Sequence, residues 1–177
     1  MLPDYPERFY IFREAPLVTG NAYSLFSDDR TYSLNVKIEP LIGGSSWSLS
    51  FGESTAQVTA ALRINSTDFE FMRAGEHYGR VREARWSVSG KSKVEDESGK
   101  ILGFVVSEFS GTSIRSADDA EIAAIRRWQD PSIARVLGPS DAHLVERYVW
   151  KRVSAQPCDR RLLYCFVCLL LIAEKSR

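Results

Sequence analysis

Between Arg161 and Glu174 the chain carries an unbroken apolar run, Leu162 to Ala173, reading Leu-Leu-Tyr-Cys-Phe-Val-Cys-Leu-Leu-Leu-Ile-Ala. As a helix it would reach only about 18 Å, well short of the ~30 Å hydrocarbon core of a bilayer. A transmembrane span is therefore not expected. A helix lying on a protein surface shows one apolar stripe, whereas this one is apolar on every face and has to be enclosed on all sides. Whatever the rest of the chain folds into must wrap around it.

The preceding segments are suited to that task. Tyr32, Leu34, Val36 and Ile38 recur at every second position, the period of a half-buried strand, and Trp47-Ser48-Leu49-Ser50-Phe51 alternates in the same way. Further short strands are expected at Tyr23–Phe26, Gln57–Ile64, Phe69–Met72, Tyr78–Arg82, Arg85–Ser89, Val94–Asp96 and Ile101–Phe109, punctuated by Gly, Ser, Asn and Asp. Glu97-Ser98-Gly99 places a glycine where a hairpin turn needs a positive φ.

The pattern then changes. Ser116 and Asp119 stand three apart, as in a capping box, which predicts a helix from Ser116 to about Trp128. Asp130-Pro131 opens a second short helix that Gly138-Pro139 closes. Val145–Val153 satisfies both helical and strand spacing, and its Tyr148, Val149, Trp150 and Val153 favour strand. Asp159 is placed to cap the terminal helix. The expected fold is mainly β, a closed antiparallel barrel around a C-terminal helix at about 160–174. Short peripheral helices are expected at about 116–138, and the alternative is an open α+β sheet with the helix on one face. With 177 residues a single domain is expected over 1–177, with a helical insertion at about 111–142.

Val94-Glu95-Asp96-Glu97-Ser98-Gly99-Lys100-Ile101-Leu102-Gly103 carries an Asp-x-x-Gly turn between strands. Tyr148–Val153 followed by Cys158-Asp159-Arg160-Arg161-Leu162-Leu163 looks like a last strand running into a buried helix. On these segments the chain resembles the tubby C-terminal-like superfamily, which includes the tubby proteins, the phospholipid scramblases and the LURP-one-related proteins. The resemblance covers roughly residues 8–110 and 143–175. It implies a closed barrel threaded by a hydrophobic helix, and it suggests binding to anionic lipid. The acidic calcium loop, the Pro-rich arm and the palmitoylation-type cysteine cluster of scramblases have no counterpart here.

No catalytic constellation emerges. Gly-x-Ser-x-Gly, His-Glu-x-x-His, Walker and dinucleotide-binding fingerprints do not occur. His77 falls in an expected turn and reads as a solvated side chain, and neither it nor His143 has a nameable triad partner. Cys165-Phe166-Val167-Cys168 is formally a C-x-x-C pair, yet its neighbours are apolar, where burial raises thiol pKa, so inert core thiols are expected. Neither a metal nor a cofactor is expected. The N-terminus shows no basic segment followed by an apolar stretch, so a cytoplasmic setting, with or without attachment to a membrane surface, is the expectation.

Charge supplies the remaining lead. Lys+Arg and Asp+Glu both number 23, so the neutral chain is not expected to coat nucleic acid. Locally, Arg80, Arg82, Arg85, Lys91 and Lys93 crowd together with Glu83 the one acid between them. Arg80 and Arg82 share one strand face, as do Lys91 and Lys93, and a hairpin would set the pairs side by side. Such a face can hold a phosphate or an anionic lipid headgroup. The competing reading is a solvated strand face on a structural or protein-interaction domain with no small ligand.

Overall fold

The computed structural model describes residues 8–14, 22–27, 29–43, 45–52, 57–63, 66–83, 90–109, 111–127, 137–141 and 144–175. They form strands β1 (Arg8–Glu14), β2 (Ala22–Ser27), β3 (Ser33–Pro40), β4 (Ser46–Gly52), β5 (Gln57–Arg63) and β6 (Phe69–Arg73). Strands β7 (Glu76–Arg82), β8 (Gly90–Asp96), β9 (Ile101–Glu108), β10 (Gly111–Ser116), β11 (Glu121–Arg127) and β12 (Leu144–Arg152) follow, and helix α1 (Arg160–Lys175) ends the described chain. Each strand pairs antiparallel with its sequence neighbours, and β1 pairs with both β2 and β12. The sheet is thus a closed barrel, which leaves none of these strands with an unpaired edge. Closure excludes the open α+β sheet.

Helix α1 fills the barrel. Every residue from Arg161 to Leu171 is buried. The inward side chains of the wall meet it: Phe51 stacks on Tyr164 with centroids 4.4 Å apart, and Phe71 and Phe166 make edge contacts with Tyr164 and Tyr148. This is the enclosure that the all-round apolar run requires, and it places the core inside the barrel. Asp159 caps the helix as expected, its Oδ1 accepting the Arg161 backbone N–H at 2.9 Å. Among the described residues no helix is long and apolar enough to cross a membrane.

A second apolar cluster lies apart from that core. Tyr10, Phe12, Phe26 and Leu144 are buried there, with Leu137 and Val149 packed against them. The Arg30 guanidinium lies over the Phe26 ring and pairs with Asp141 of a single 3-10 turn, Pro139–Asp141.

One expectation needs correction. The described part of the expected first helix, 116–127, is not helical: residues 111–116 and 121–127 are wall strands. Ser116 and Asp119 instead build a hairpin turn. The Ala120 backbone N–H donates to Ser116 Oγ at 3.2 Å, and Asp119 takes a φ of 65°. The turn sends Ala123 and Ile125 back along the barrel, buried in the core. The second expected helix falls mostly at 130–136, outside the described residues. Strand β1 has no counterpart in the alternation analysis, because Tyr10, Ile11 and Phe12 are all buried, Ile11 in the barrel core and the other two in the outer cluster. The strand expected at Arg85–Ser89 also lies outside the described residues.

Candidate functional site

Strands β7 and β8 pair with Arg80 opposite Glu95 and Arg82 opposite Lys93. Val81 and Val94 point into the core, so their neighbours Arg80, Arg82, Lys93 and Glu95 line the outer wall. Three cations converge there on one carboxylate. Arg80 Nε donates to Glu95 Oε2 at 2.5 Å, Arg82 Nε lies 3.4 Å from the same oxygen, and Lys93 Nζ lies 3.1 Å from Oε1. The Glu95 side chain is only 6% exposed, while those of Arg80, Arg82 and Lys93 are 37%, 43% and 33% exposed. Burial alone would raise the Glu95 carboxyl. Hydrogen bonds from Arg80 and Lys93, with the charges of both, outweigh it and hold the carboxyl below its usual range. Three cations against one carboxylate leave two positive charges on an accessible wall.

Lys91 stands apart from that cluster. Lys91 lies over the Phe104 ring, 3.9 Å from its centroid, and its Nζ reaches Asp119 at 2.9 Å, where Arg115 also arrives at 3.7 Å. Arg85 lies outside the described residues. The site residue absent from the sequence reading is Glu95. It follows Lys93 by two positions and therefore shares its face, a signal available to the alternation rule.

Beside this cluster, Arg161 joins the helix to the wall. Its guanidinium donates to the Tyr78 carbonyl at 2.6 Å, to Glu97 at 2.9 Å and to both Asp159 oxygens, each at 2.9 Å, and it lies over the Tyr78 ring. A positive charge is unfavourable at a helix N-terminus, and these carboxylates compensate it. Gly79 makes the junction possible: a Cβ there would stand 2.6 Å from the Glu95 carbonyl oxygen and 3.2 Å from Arg161 Cδ. Glu97 sits in the β8–β9 turn, where Asp96 Oδ1 accepts the Ser98 and Lys100 backbone N–H groups, both at 2.9 Å.

His77 lies on β7 rather than in a turn, exposed, with Nδ1 3.6 Å from Glu70. Cys165 and Cys168 are buried in α1, and burial pushes both thiols far up. Among the described residues no group of three or more His, Cys, Asp or Glu side chains could hold a metal ion.

Fold and site together define a closed twelve-strand antiparallel barrel around a central helix, with a positively charged patch on its outer wall. No family model matches the chain, and no curated protein sequence does. Among solved structures it is similar to an Arabidopsis thaliana protein determined by X-ray crystallography, with a TM-score of 0.56 and 14% identity over 98% of this chain and 94% of that one. At such identity the likeness bears on the fold alone.

Proposed function

We propose that this protein is a non-enzymatic binding module of the tubby C-terminal-like kind, which holds an anionic lipid headgroup or a phosphate on the β7–β8 wall. Arg80, Arg82 and Lys93 are the residues assigned to the ligand, and Lys91 extends the basic face along β8. The observation that carries the reading is the convergence of three partly exposed cations on a single carboxylate, which leaves the cluster positive. Glu95 holds the side chains of Arg80, Arg82 and Lys93 in one place, so an incoming anion meets cations that are already ordered, and little side-chain entropy remains to be lost on binding. The setting that goes with this reading is the cytoplasmic surface of a membrane.

Sedimentation with vesicles containing anionic lipid tests it. Binding at low ionic strength should weaken as salt is raised, because the attraction is screened over about 10 Å at 0.1 M. Arg82→Ala should reduce it several-fold without unfolding the barrel, since Arg82 has the most exposed side chain of the three and the longest contact to Glu95. Absence of binding at low salt leaves the second reading, a protein-interaction domain with no small ligand. Two observations favour that alternative. Glu95 already gives the cations an internal partner, and Ile42 and Phe109 stand fully exposed on hairpin tips. In the antiparallel strand order, the β3–β4 and β9–β10 tips lie at the same end of the barrel.

A further inference from the structure

We infer that Arg8, Arg126 and Lys151 form a separate anion site on the outer wall of β11, β12 and β1, and that its ligand is a small soluble phosphate compound. The site itself does not rest on the function proposed above. The choice of a soluble ligand does, through the placement of the two walls.

Alternation and register bring the three side chains together. Ile11, Trp150, Ala123 and Ile125 point into the core, so Arg8, Lys151, Ala124 and Arg126 face outward. Arg8 stands directly opposite Lys151, and Lys151 stands opposite Ala124, two residues before Arg126. Such positions set the Cβ atoms of Arg8 and Lys151 about 5 Å apart, and those of Lys151 and Arg126 about 7–8 Å apart. All three residues are exposed, and among the described residues none of their side chains has an ion-pair or hydrogen-bond partner. Other cations of the barrel are matched: Glu95 holds Arg80, Arg82 and Lys93, Asp119 holds Lys91 and Arg115, and Glu174 faces Arg13. Among the described side chains of β1, β11 and β12 the one carboxylate is Glu121, which starts β11 opposite Arg115. Counted against the three cations, it still leaves them in excess.

Like charges directly opposite on paired strands destabilise a sheet. Lys and Arg often guard a free strand edge, but closure leaves these strands no edge to guard. An anion lodged among the three cations relieves the repulsion. Two guanidinium forks and an ammonium offer more donors than the two oxygens of one carboxylate can use, and they suit the several oxygens of a phosphate group. Placement selects the source. Strands β8 and β12 are four apart in a ring of twelve, a third of the way round the barrel. A flat bilayer meeting the β7–β8 wall therefore does not lie on this one, and the triad is left facing water.

Thermal unfolding followed by circular dichroism tests the site, with inorganic pyrophosphate as the probe and sodium chloride at equal ionic strength as the reference. The β7–β8 wall can also take the probe, so the full chain carrying Arg82→Gln is the starting protein. At ten times Kd it should melt about 3–5 °C higher in pyrophosphate than in chloride. Adding Lys151→Gln should weaken binding about tenfold and cut the shift to about 1 °C. In chloride alone, Lys151→Gln should melt no lower than its parent, because the repulsion from Arg8 is gone. Arg126→Gln repeats the comparison from the neighbouring strand should Lys151→Gln not fold. Sedimentation with phosphatidic acid vesicles supplies the membrane arm, which Lys151→Gln should leave unchanged. No shift beyond that in chloride, or a shift that survives both Lys151→Gln and Arg126→Gln, overturns the site and leaves the β7–β8 reading standing. Vesicle binding that Lys151→Gln removes overturns the soluble ligand and moves the headgroup to this wall. Absence of vesicle binding by the unmodified protein at low salt counts against the headgroup reading of the β7–β8 wall and leaves the pyrophosphate result to decide the triad.

Discussion

Gly79→Ala should be among the most damaging one-carbon changes in the barrel wall, and the structure sets its scale. The added Cβ would stand 2.6 Å from the Glu95 carbonyl oxygen, where ordinary contact begins at 3.4 Å, so β7 and β8 must part by about 0.8 Å. The obstacle is backbone, which cannot rotate away as a side-chain tip can. On the other side, Arg161 Cδ at 3.2 Å is tied into its own hydrogen bonds to Tyr78, Glu97 and Asp159. Overpacking of this kind costs about 1–3 kcal/mol, and weakening one or two ladder hydrogen bonds adds roughly 1 kcal/mol each. A total near 3 kcal/mol corresponds to a melting temperature lower by about 6–12 °C in a domain of this size. Gly75→Ala is the control. Gly75 sits at the β6–β7 turn with φ of 82° and nothing within 4 Å of its would-be Cβ, so it bears conformational strain alone, worth about 1–2 kcal/mol. Thermal unfolding followed by circular dichroism compares the two. If Gly79→Ala melts within about 2 °C of the parent, or above Gly75→Ala, the close approach of β7, β8 and Arg161 is not as described.

The carboxyls of Glu95, Asp96, Glu97 and Asp119 are all held below their usual range, so their stabilisation is complete above the unfolded pKa values and is lost as pH falls through the folded ones. Melting temperature should therefore be flat near neutrality and fall below about pH 4, and Glu95→Gln should flatten that fall; identical acid profiles for the two proteins would remove Glu95 from this account. Burial, followed by the Asp159 charge, pushes the Cys158 thiol up to about 12, and burial lifts Cys165 and Cys168 further. At about pH 8 the native protein should resist iodoacetamide at all three and react fully once unfolded; mass spectrometry of a briefly labelled native sample decides, and rapid labelling of Cys165 or Cys168 would contradict the buried helix.

The legible part of this protein was whatever depends on neighbouring residues. An apolar run without a polar face demands enclosure wherever it sits, and Tyr32 through Ile38 announces a strand by its period of two. Asp159 capped its helix because a cap acts within a single turn. The strong β-propensity of Tyr148–Val153 likewise settled a segment whose spacing was ambiguous. Ser116–Asp119 shows where local signals run out. The same Ser and Asp suit a helix start and a hairpin turn, and the requirement that the sheet close on itself selected the hairpin.

The site was half legible for a related reason. That Arg80 and Arg82 share a strand face, as do Lys91 and Lys93, follows from alternation alone. That Arg80 stands opposite Glu95 does not, because register depends on how the chain between β7 and β8 turns, and a slip of one residue would exchange core and surface faces. Tertiary pairing thus turned a row of positive charges into a cluster around a buried acid. It also brought Arg161 to the carbonyl of Tyr78, 83 residues earlier in the chain. Hydropathy and periodicity are written residue by residue, whereas the partner of each charge was decided only when the barrel closed around its helix.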